Sequence, residues 1–295
     1  MRFVAGLLVG ILCVFAAAPL SADQGVYPKT DDELRAAYDA LKWQDSAGAY
    51  KLPSSHAVIQ LPAGATLLLG ADAERYSWLD SGVEFPGTGA VLASDSDSKS
   101  LVYYEWRDEG HVGDADWEDV DGDVLLKQYR DSTEAGNDER AKNGFDAMHV
   151  VGWLEPPHYD QATRTVTYAM ELKDKDSNWA NAVALRLGRA GYAELTWVGS
   201  IASFQSTSGR PELLNQALAT HAFEEGYRYQ DFKDGDKVAA YGIAGLVAAA
   251  LGLKIGKGLA LAVLAKIGIP AAALAAYIAM RFRQLFAWWR WRPRS

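Results

Sequence analysis

The sequence predicts an α+β fold, a mainly antiparallel sheet with a few packed helices, followed by a C-terminal membrane helix or helical hairpin. Three observations support this prediction. Short β-branched and aromatic runs, separated by Gly, Pro, Asp and Ser, fill the middle of the chain. Amphipathic segments interrupt these runs at few positions, without a regular strand–helix–strand alternation. After Asp236 the chain holds two long apolar runs, nine Lys or Arg and no acidic residue.

The N-terminus has the pattern of a secretory signal peptide, residues 1–22. Arg2 precedes an apolar run over residues 4–18, and small residues follow up to Ala22. We expect cleavage after Ala22; the alternative is an uncleaved N-terminal anchor. The single cysteine, Cys13, lies inside this segment. A cleaved chain would therefore have neither a disulfide nor a cysteine metal site.

Residues 23–55 are predicted to be a helical lead-in to an exported domain that spans residues 56–235. Thr30 and Glu33 have the spacing of a capping box, and apolar residues recur on one face behind them. This pattern predicts a helix over residues 31–41. Two further helices are predicted inside the domain, over residues 119–133 and from residue 211 to a stop at residue 226.

The strands are predicted from short apolar runs between turn residues. Residues 56–61 and 65–69 flank a Pro-Ala-Gly turn at the spacing of a hairpin. Residues 164–170 alternate polar and apolar side chains, as a half-buried antiparallel strand does. The candidate strands after the first two are residues 89–93, 101–106, 147–154, 164–172, 180–187 and 193–201.

The segment 155–160, Glu-Pro-Pro-His-Tyr-Asp, is the most distinctive polar stretch. Its prolines and its final aspartate predict a stiff loop between two strands. The loop would present carboxylates, an imidazole and a phenol, so Glu155, His158, Tyr159 and Asp160 are candidate binding residues. A rigid hairpin connection without a ligand explains the same residues.

No motif for a metal, a nucleotide or catalysis is found in the sequence. The acidic stretch around Gly122 fails as an EF-hand, because Trp117 and Gln128 fall where the loop needs carboxylates. No histidine pair has the HExxH spacing, and no serine lies in a GxSxG motif. We therefore predict no metal site and no cofactor, and the sequence gives no signature of an enzyme.

A periplasmic hydrolase is the alternative function that the residues leave open. It would use His158 or His149 as the base, with Glu155 or Asp160 as a neighbouring carboxylate. For this function Glu155, His158 and Asp160 would have to converge in a concave pocket.

Several blocks of residues occur together in a specific order. They are Tyr104-Glu105-Trp106, Val151-Gly152-Trp153, Pro157-His158-Tyr159-Asp160, Leu185-Arg186-Leu187-Gly188-Arg189 with Gly191, residues 223–232 and residues 236–242. Over residues 56–252 the chain thereby resembles the bacterial membrane-anchored proteins grouped as domain-of-unknown-function family 2167. The resemblance implies a Gram-negative exported protein with a C-terminal membrane anchor. It implies no activity, substrate or catalytic residue.

Residues 236–295 are predicted to be a membrane anchor with a basic, Trp/Arg-rich end. Residues 258–280 are long enough to span a hydrocarbon core of about 30 Å, whereas residues 238–253 would make only about 24 Å of helix. Gly252 and Gly256 form a GxxxG pair that permits close packing of membrane helices. A single crossing by residues 258–280 would place the terminal arginines in the cytoplasm, and a hairpin of both runs would place them in the periplasm.

The charge is divided unevenly along the chain. The net charge is −9, but the tail after Asp236 contributes +9 and Arg2 another +1, so residues 23–236 carry −19. Such a domain is repelled by nucleic acid, while the basic tail is attracted to anionic lipid. We expect an inner-membrane protein with its main domain in the periplasm. Its expected partners are inner-membrane lipid and either an envelope protein or a second copy, and its expected role is that of a binding or envelope-maintenance module.

Overall fold

A seven-stranded antiparallel sheet forms the centre of the protein. The computed structural model describes residues 27–81, 87–94, 97–142, 145–205 and 210–253. The strands are β1 (Gly48–Leu52), β2 (Ala57–Leu61), β3 (Ala65–Leu69), β4 (Thr88–Ser94), β5 (Asp97–Arg107), β6 (His149–Asp160), β7 (Thr165–Lys173), β8 (Asn178–Leu187), β9 (Tyr192–Ser200) and β10 (Ala222–Phe223). The helices are α1 (Asp31–Asp39), α2 (Ala71–Ser81), α3 (Gly122–Lys142), α4 (Ile201–Gln205), α5 (Glu212–Thr220) and α6 (Ile243–Ala250).

The large sheet has the order β3-β4-β5-β9-β8-β7-β6, and β1-β2-β10 make a second, three-stranded sheet. One face of the large sheet packs against α2, α3 and α6. The other face packs against the small sheet and α5. We call the side that packs against α2, α3 and α6 the helical face, and the side that packs against the small sheet and α5 the α5 face. This arrangement confirms the predicted α+β class with a mainly antiparallel sheet.

Side chains alternate between these two faces along each strand. In β7, Val166 and Tyr168 belong to the core on the helical face, while Ala169 belongs to the core on the α5 face. The alternation predicted for residues 164–170 is therefore confirmed.

The predicted hairpin between residues 56–61 and 65–69 is wrong. Both strands form, but β2 pairs with β1 and β10, while β3 pairs with β4. Ile59 of β2 and Leu67 of β3 are both fully buried in the same core between the two sheets. The two strands thus contribute to one hydrophobic layer from opposing sheets, and this burial replaces the hydrogen-bonded pairing that their spacing predicts.

The predicted loop over residues 155–160 is also wrong, because these residues form the second half of β6. The turn to β7 comes later, at residues 161–164, where Arg164 has φ +52°. β6 is an edge strand, and its register with β7 shifts at three places. Proline has no N–H to give to a sheet, so it is tolerated at edges and bulges. Pro156 and Pro157 therefore fit within this strand.

The predicted helices exist, with different ends. Thr30 and Glu33 make the capping box in α1, as expected. α3 begins at Gly122 and continues to Lys142, beyond the predicted stop at residue 133. α5 ends at Thr220, and the next residues pair with β2 as β10. Pairing with a distant strand thus ends the helix before residue 226.

The first apolar run of the tail, residues 238–253, lies in the protein core from Ile243 to Leu251. Ile243, Leu246 and Val247 of α6 are fully buried, and the N–H of Ile243 donates to Oδ1 of Asp116 at 2.8 Å. α6 has eight residues, about 12 Å of helix. Among the described residues, no helix has the length and apolarity to cross a bilayer. The predicted signal peptide and the apolar run 258–280 lie outside the described residues.

Gly252 directly follows the last turn of α6. Its φ is +68°, and its N–H donates to the carbonyl of Ala249 at 2.8 Å. A glycine with positive φ is a common way to end a helix. Gly256 lies outside the described residues, so close packing of membrane helices through the pair stays a prediction.

Candidate functional site

The four candidate residues of β6 divide between the two faces of the sheet. Tyr159 lies opposite Val166, which belongs to the helical face. His158 lies opposite Thr167, and Glu155 lies opposite Ala169 on the α5 face. Asp160 lies two residues after His158 in the strand, so its side chain is on the same face of the sheet. The structure therefore brings Glu155, His158 and Asp160 to one side of the sheet and Tyr159 to the other.

A cleft of about 210 Å³ opens on the α5 face, and we call it the α5 cleft. β7 and β8 form its floor, and α5 forms one wall. Its polar lining consists of Asp160, Thr163, Thr165, Thr167, Arg186, Arg210 and Asn215. Of the four residues that the sequence singles out, Asp160 belongs to this lining.

Arg186 is fixed in the floor of the cleft by the end of α5. Its Nη1 donates to the carbonyls of Leu218 and His221, both at 2.8 Å, and its Nε donates to Oγ1 of Thr165 at 3.3 Å. The last carbonyls of a helix attract cations, because they carry the negative end of the helix dipole. Burial lowers the pKa of Arg186, but a guanidinium keeps its charge in proteins. The floor therefore carries a fixed positive charge.

Arg210 lies just before α5 and is held through its main chain. Its carbonyl accepts a hydrogen bond from Nδ2 of Asn215 at 3.0 Å. Burial raises the pKa of Glu155, and the charges of Arg210 and His158 act in the opposite direction. Within the described part of the chain, the Arg210 guanidinium has no hydrogen bond and no ion pair within 4.0 Å. Among the residues that the structure describes, none occupies these donors.

Asp160 closes the turn between β6 and β7. Its Oδ1 accepts from the N–H groups of Ala162 and Thr163 at 2.8 and 3.3 Å, and its Oδ2 accepts from the Thr163 hydroxyl at 2.9 Å. The hydrogen bond from the Thr163 side chain is the main reason why the pKa of Asp160 is lowered. Aspartate commonly stabilises turns in this way. The carboxylate is therefore ionised and already hydrogen-bonded by its own turn.

Tyr159 belongs to a second polar cluster, on the helical face. Its hydroxyl donates to Oδ2 of Asp114 at 2.6 Å, Arg164 contacts the same carboxylate, and the Tyr229 hydroxyl donates to Oδ1 at 3.3 Å. Burial raises the pKa of Asp114, but the Tyr159 hydrogen bond and the charge of Arg164 outweigh it, so the pKa is lowered. This cluster joins β6, the following turn and the segment around Tyr229, and it holds Tyr159 away from the α5 cleft.

His149 lies at the opposite end of β6 from Asp160. Its Nδ1 is 2.7 Å from Oε1 of Glu134 on α3, and both side chains are substantially exposed. The structure therefore separates the two histidines of the hydrolase alternative. Among the described residues, no group of His, Cys, Asp and Glu could hold a metal ion.

A buried carboxyl pair in the middle of the large sheet was not predicted. Glu105 of β5 lies directly opposite Glu194 of β9, on the helical face. Arg107 contacts Glu105, and its Nε is 3.5 Å from Oε2 of Glu194. Burial raises the pKa of both carboxyls, that of Glu194 to about 7. The sequence signal was a glutamate between apolar neighbours in each of two strands.

Arg186, Arg210 and Thr167 were also not predicted as lining residues of a site. Arg186 interrupts an apolar strand sequence, Val-Ala-Leu-Arg-Leu, and that interruption was the available signal. Arg210 and Thr167 have no such signal, because folding alone brings the start of α5 over β7.

The comparisons with known proteins place the chain in a family but assign it no activity. The profile of a family described as "Protein of unknown function (DUF2167)" matches residues 44–286. None of the curated proteins matches the chain. The solution structure of cyanobacterial PsbP (CyanoP) from Synechocystis sp. PCC 6803 aligns at 11% identity and a TM-score of 0.38, and it covers 61% of this chain and 94% of that chain. A likeness at that TM-score supports no inference about this chain. The profile match spans most of the sequence, and the protein therefore belongs to the DUF2167 family.

Proposed function

We propose that this protein is an exported, membrane-anchored module that binds a small polar ligand in the α5 cleft. The observation that carries this proposal is the cleft itself, a concave site of about 210 Å³ whose lining includes both Arg186 and Arg210. Typical sites for drug-sized ligands measure about 300–1,000 Å³. The α5 cleft therefore suits a small metabolite or one functional group of a larger molecule.

The location in the envelope is supported by the two ends of the sequence. An apolar, signal-like segment precedes the acidic domain, and residues 258–280 with the basic end follow it. The attraction of the basic end to anionic lipid and the −19 charge of residues 23–236 favour a domain held at the membrane by its tail. Ligand binding or envelope maintenance on the periplasmic side is the role consistent with these features.

The hydrolase alternative gains no support from the arrangement of side chains. A general base must lie within hydrogen-bond reach of the proton that it takes. Glu155, His158 and Asp160 share one side of the sheet, but of the three only Asp160 lines the α5 cleft, and its own turn occupies it. His149 lies at the other end of β6. We therefore propose binding without a chemical step.

Filling the cleft without removing a charge tests this function. Ala219 is exposed on α5 and lines the cleft, so Ala219→Trp would block it for a ligand of any chemical class. We would screen small polar metabolites against the detergent-solubilised full chain by thermal shift. A ligand at 100 times its Kd stabilises by about 2.7 kcal/mol, which corresponds to a rise of about 5–11 °C in Tm for a domain of this size.

At least one compound should raise the Tm of the wild type and leave that of Ala219→Trp unchanged. The matched control is Ala36→Trp, at an exposed position of α1 outside the cleft, which should respond like the wild type. The proposal is wrong if every compound that shifts the wild type shifts Ala219→Trp equally, or if none shifts either protein.

A further inference from the structure

The walls of the α5 cleft hold more free hydrogen-bond donors than free acceptors. In the described part of the chain, the Arg210 guanidinium, Nη2 of Arg186 and the Thr167 hydroxyl have no hydrogen-bond partner. The one carboxylate of the lining, Asp160, already accepts three hydrogen bonds from its turn. Buried or half-buried donors require acceptors, from the protein, from water or from a ligand. A ligand that pairs with these donors would therefore be rich in acceptors.

The charges of the cleft indicate the same kind of ligand. Burial lowers the pKa of Arg186; the charge of Asp160 opposes this effect, and the like charge of Arg210 adds to it. Like charges that face one cleft repel each other, and no carboxylate lies within 4.0 Å of either guanidinium among the residues that the structure describes. The lining thus carries two guanidiniums and one carboxylate, Asp160, which is already hydrogen-bonded by its own turn. An anion between the guanidiniums would offset their remaining repulsion, and charge-assisted hydrogen bonds to guanidinium are among the stronger ones.

We propose that the α5 cleft binds an oxyanion group, a phosphate or a carboxylate, between Arg210 and Arg186. Arg210 supplies the fork of donors that matches two oxygens of such a group. Nη2 of Arg186 and the hydroxyl of Thr167 complete the site from the floor. This inference rests on the proposed binding function, since it names the ligand class of the same cleft.

Two probes distinguish the sources of the oxyanion. Binding of inorganic phosphate and of succinate to the full chain in a non-ionic detergent would be measured by isothermal titration, with choline chloride as the control at equal ionic strength. Saturable binding of phosphate alone identifies a phosphate site, and saturable binding of succinate identifies a carboxylate site. The inference is overturned if both probes give no more heat than choline chloride.

Variants connect the binding to the two arginines. Arg210→Gln should weaken binding by about 10- to 100-fold, because it removes charge-assisted hydrogen bonds. Arg210→Lys keeps the charge but loses the fork, and an intermediate loss is expected. Thr167→Val should weaken binding several-fold. Arg35→Gln, the same change at an exposed position of α1, should leave it unchanged. Equal binding by wild type and Arg210→Gln would overturn the inference.

The failure of this inference and the failure of the proposed function have different signatures. If neutral or cationic compounds bind the wild type but not Ala219→Trp, and both anions fail, the cleft is a ligand site of another class. If Ala219→Trp binds every compound as the wild type does, the cleft is not the ligand site. Among the described residues the Arg210 side chain has no hydrogen bond and no ion pair within 4.0 Å, so its variants should keep nearly the wild-type Tm without ligand.

Discussion

Replacing Glu194 by glutamine should make the stability of the domain less dependent on pH. Glu194 is 3% exposed, lies opposite Glu105, and its Oε1 has no hydrogen-bond partner among the described residues. Arg107 lies beside both carboxyls, so one positive charge faces two groups that repel each other when both ionise. Glutamine has nearly the same shape as glutamate, and it cannot ionise.

The magnitude follows from the pKa of Glu194. Burial, partly offset by Arg107, raises this pKa from 4.5 to about 7, a change that corresponds to about 3 kcal/mol. The folded protein therefore holds the proton more tightly than the unfolded chain. Below pH 4.5 Glu194 is protonated in both states and does not destabilise the fold. As the pH rises towards 7 the unfolded chain ionises first, so the folded state loses stability progressively, and above pH 7 the fold carries the full cost of the buried, ionised carboxyl.

Urea unfolding of the full chain in a mild detergent, followed by tryptophan fluorescence, measures this effect. Relative to the wild type, Glu194→Gln should raise the free energy of unfolding by about 3 kcal/mol at pH 8 and change it by less than about 1 kcal/mol at pH 5. Glu118→Gln, the same change at an exposed position, should show no such difference between the two pH values. A Glu194→Gln variant that is destabilised equally at both pH values would refute the reasoning.

Three further predictions follow from the structure and the sequence. Gly191→Ala should lower the free energy of unfolding in urea by about 3 kcal/mol, because the added Cβ would collide with the carbonyl oxygen of Arg107. Gly136→Ala, at an open position of α3, should raise it by about 1 kcal/mol. Equal effects of the two variants would contradict this prediction. Burial lowers the pKa of His221 to about 3, so the folded state loses stability as the pH falls below 6.5. His221→Phe should remove about 2 kcal/mol of that loss at pH 5, measured by the same unfolding assay. An unchanged acid sensitivity of the variant would contradict this prediction. On the proposal that residues 258–280 cross the inner membrane once, a reporter that is active only in the periplasm should be silent when fused after Ser295, because α6 lies in the domain core. An active fusion would support an even number of crossings.

The fold was predictable where local patterns decide it. The capping box at Thr30 specifies the start of α1 through contacts within four residues. The alternation in residues 164–170 specifies the two faces of β7, because side chains of a strand point to opposite sides. The absence of strand–helix–strand repeats gave the antiparallel α+β class.

Partner choice was not predictable from those patterns. β2 and β3 are separated by a three-residue turn, yet they join different sheets because Ile59 and Leu67 fill one core between them. Pro156 and Pro157 look like loop residues, and only the edge position of β6 makes them acceptable in a strand. Both outcomes depend on contacts between residues far apart in the chain.

The candidate site was predicted in part. Asp160 lines the α5 cleft, whereas Tyr159, its neighbour, points to the other face and binds Asp114. Arg186 and Arg210 come from β8 and from the start of α5, and no spacing in the sequence links them. Their convergence is a product of the packing of α5 on the sheet.

By itself, the sequence determined the class of fold, the acidic character of the domain and the pattern of a signal segment and a basic apolar tail, because composition and periodicity record these properties locally. The tertiary structure decided which strands pair, that the first apolar run of the tail is core, and that two arginines share one cleft. The physical reason is that burial and strand pairing depend on many residues that lie far apart in the sequence. An apolar segment such as α6 can bury its side chains in a membrane or against a sheet, and its own sequence does not distinguish the two. Only the folded domain shows that α6 packs in the core against the sheet.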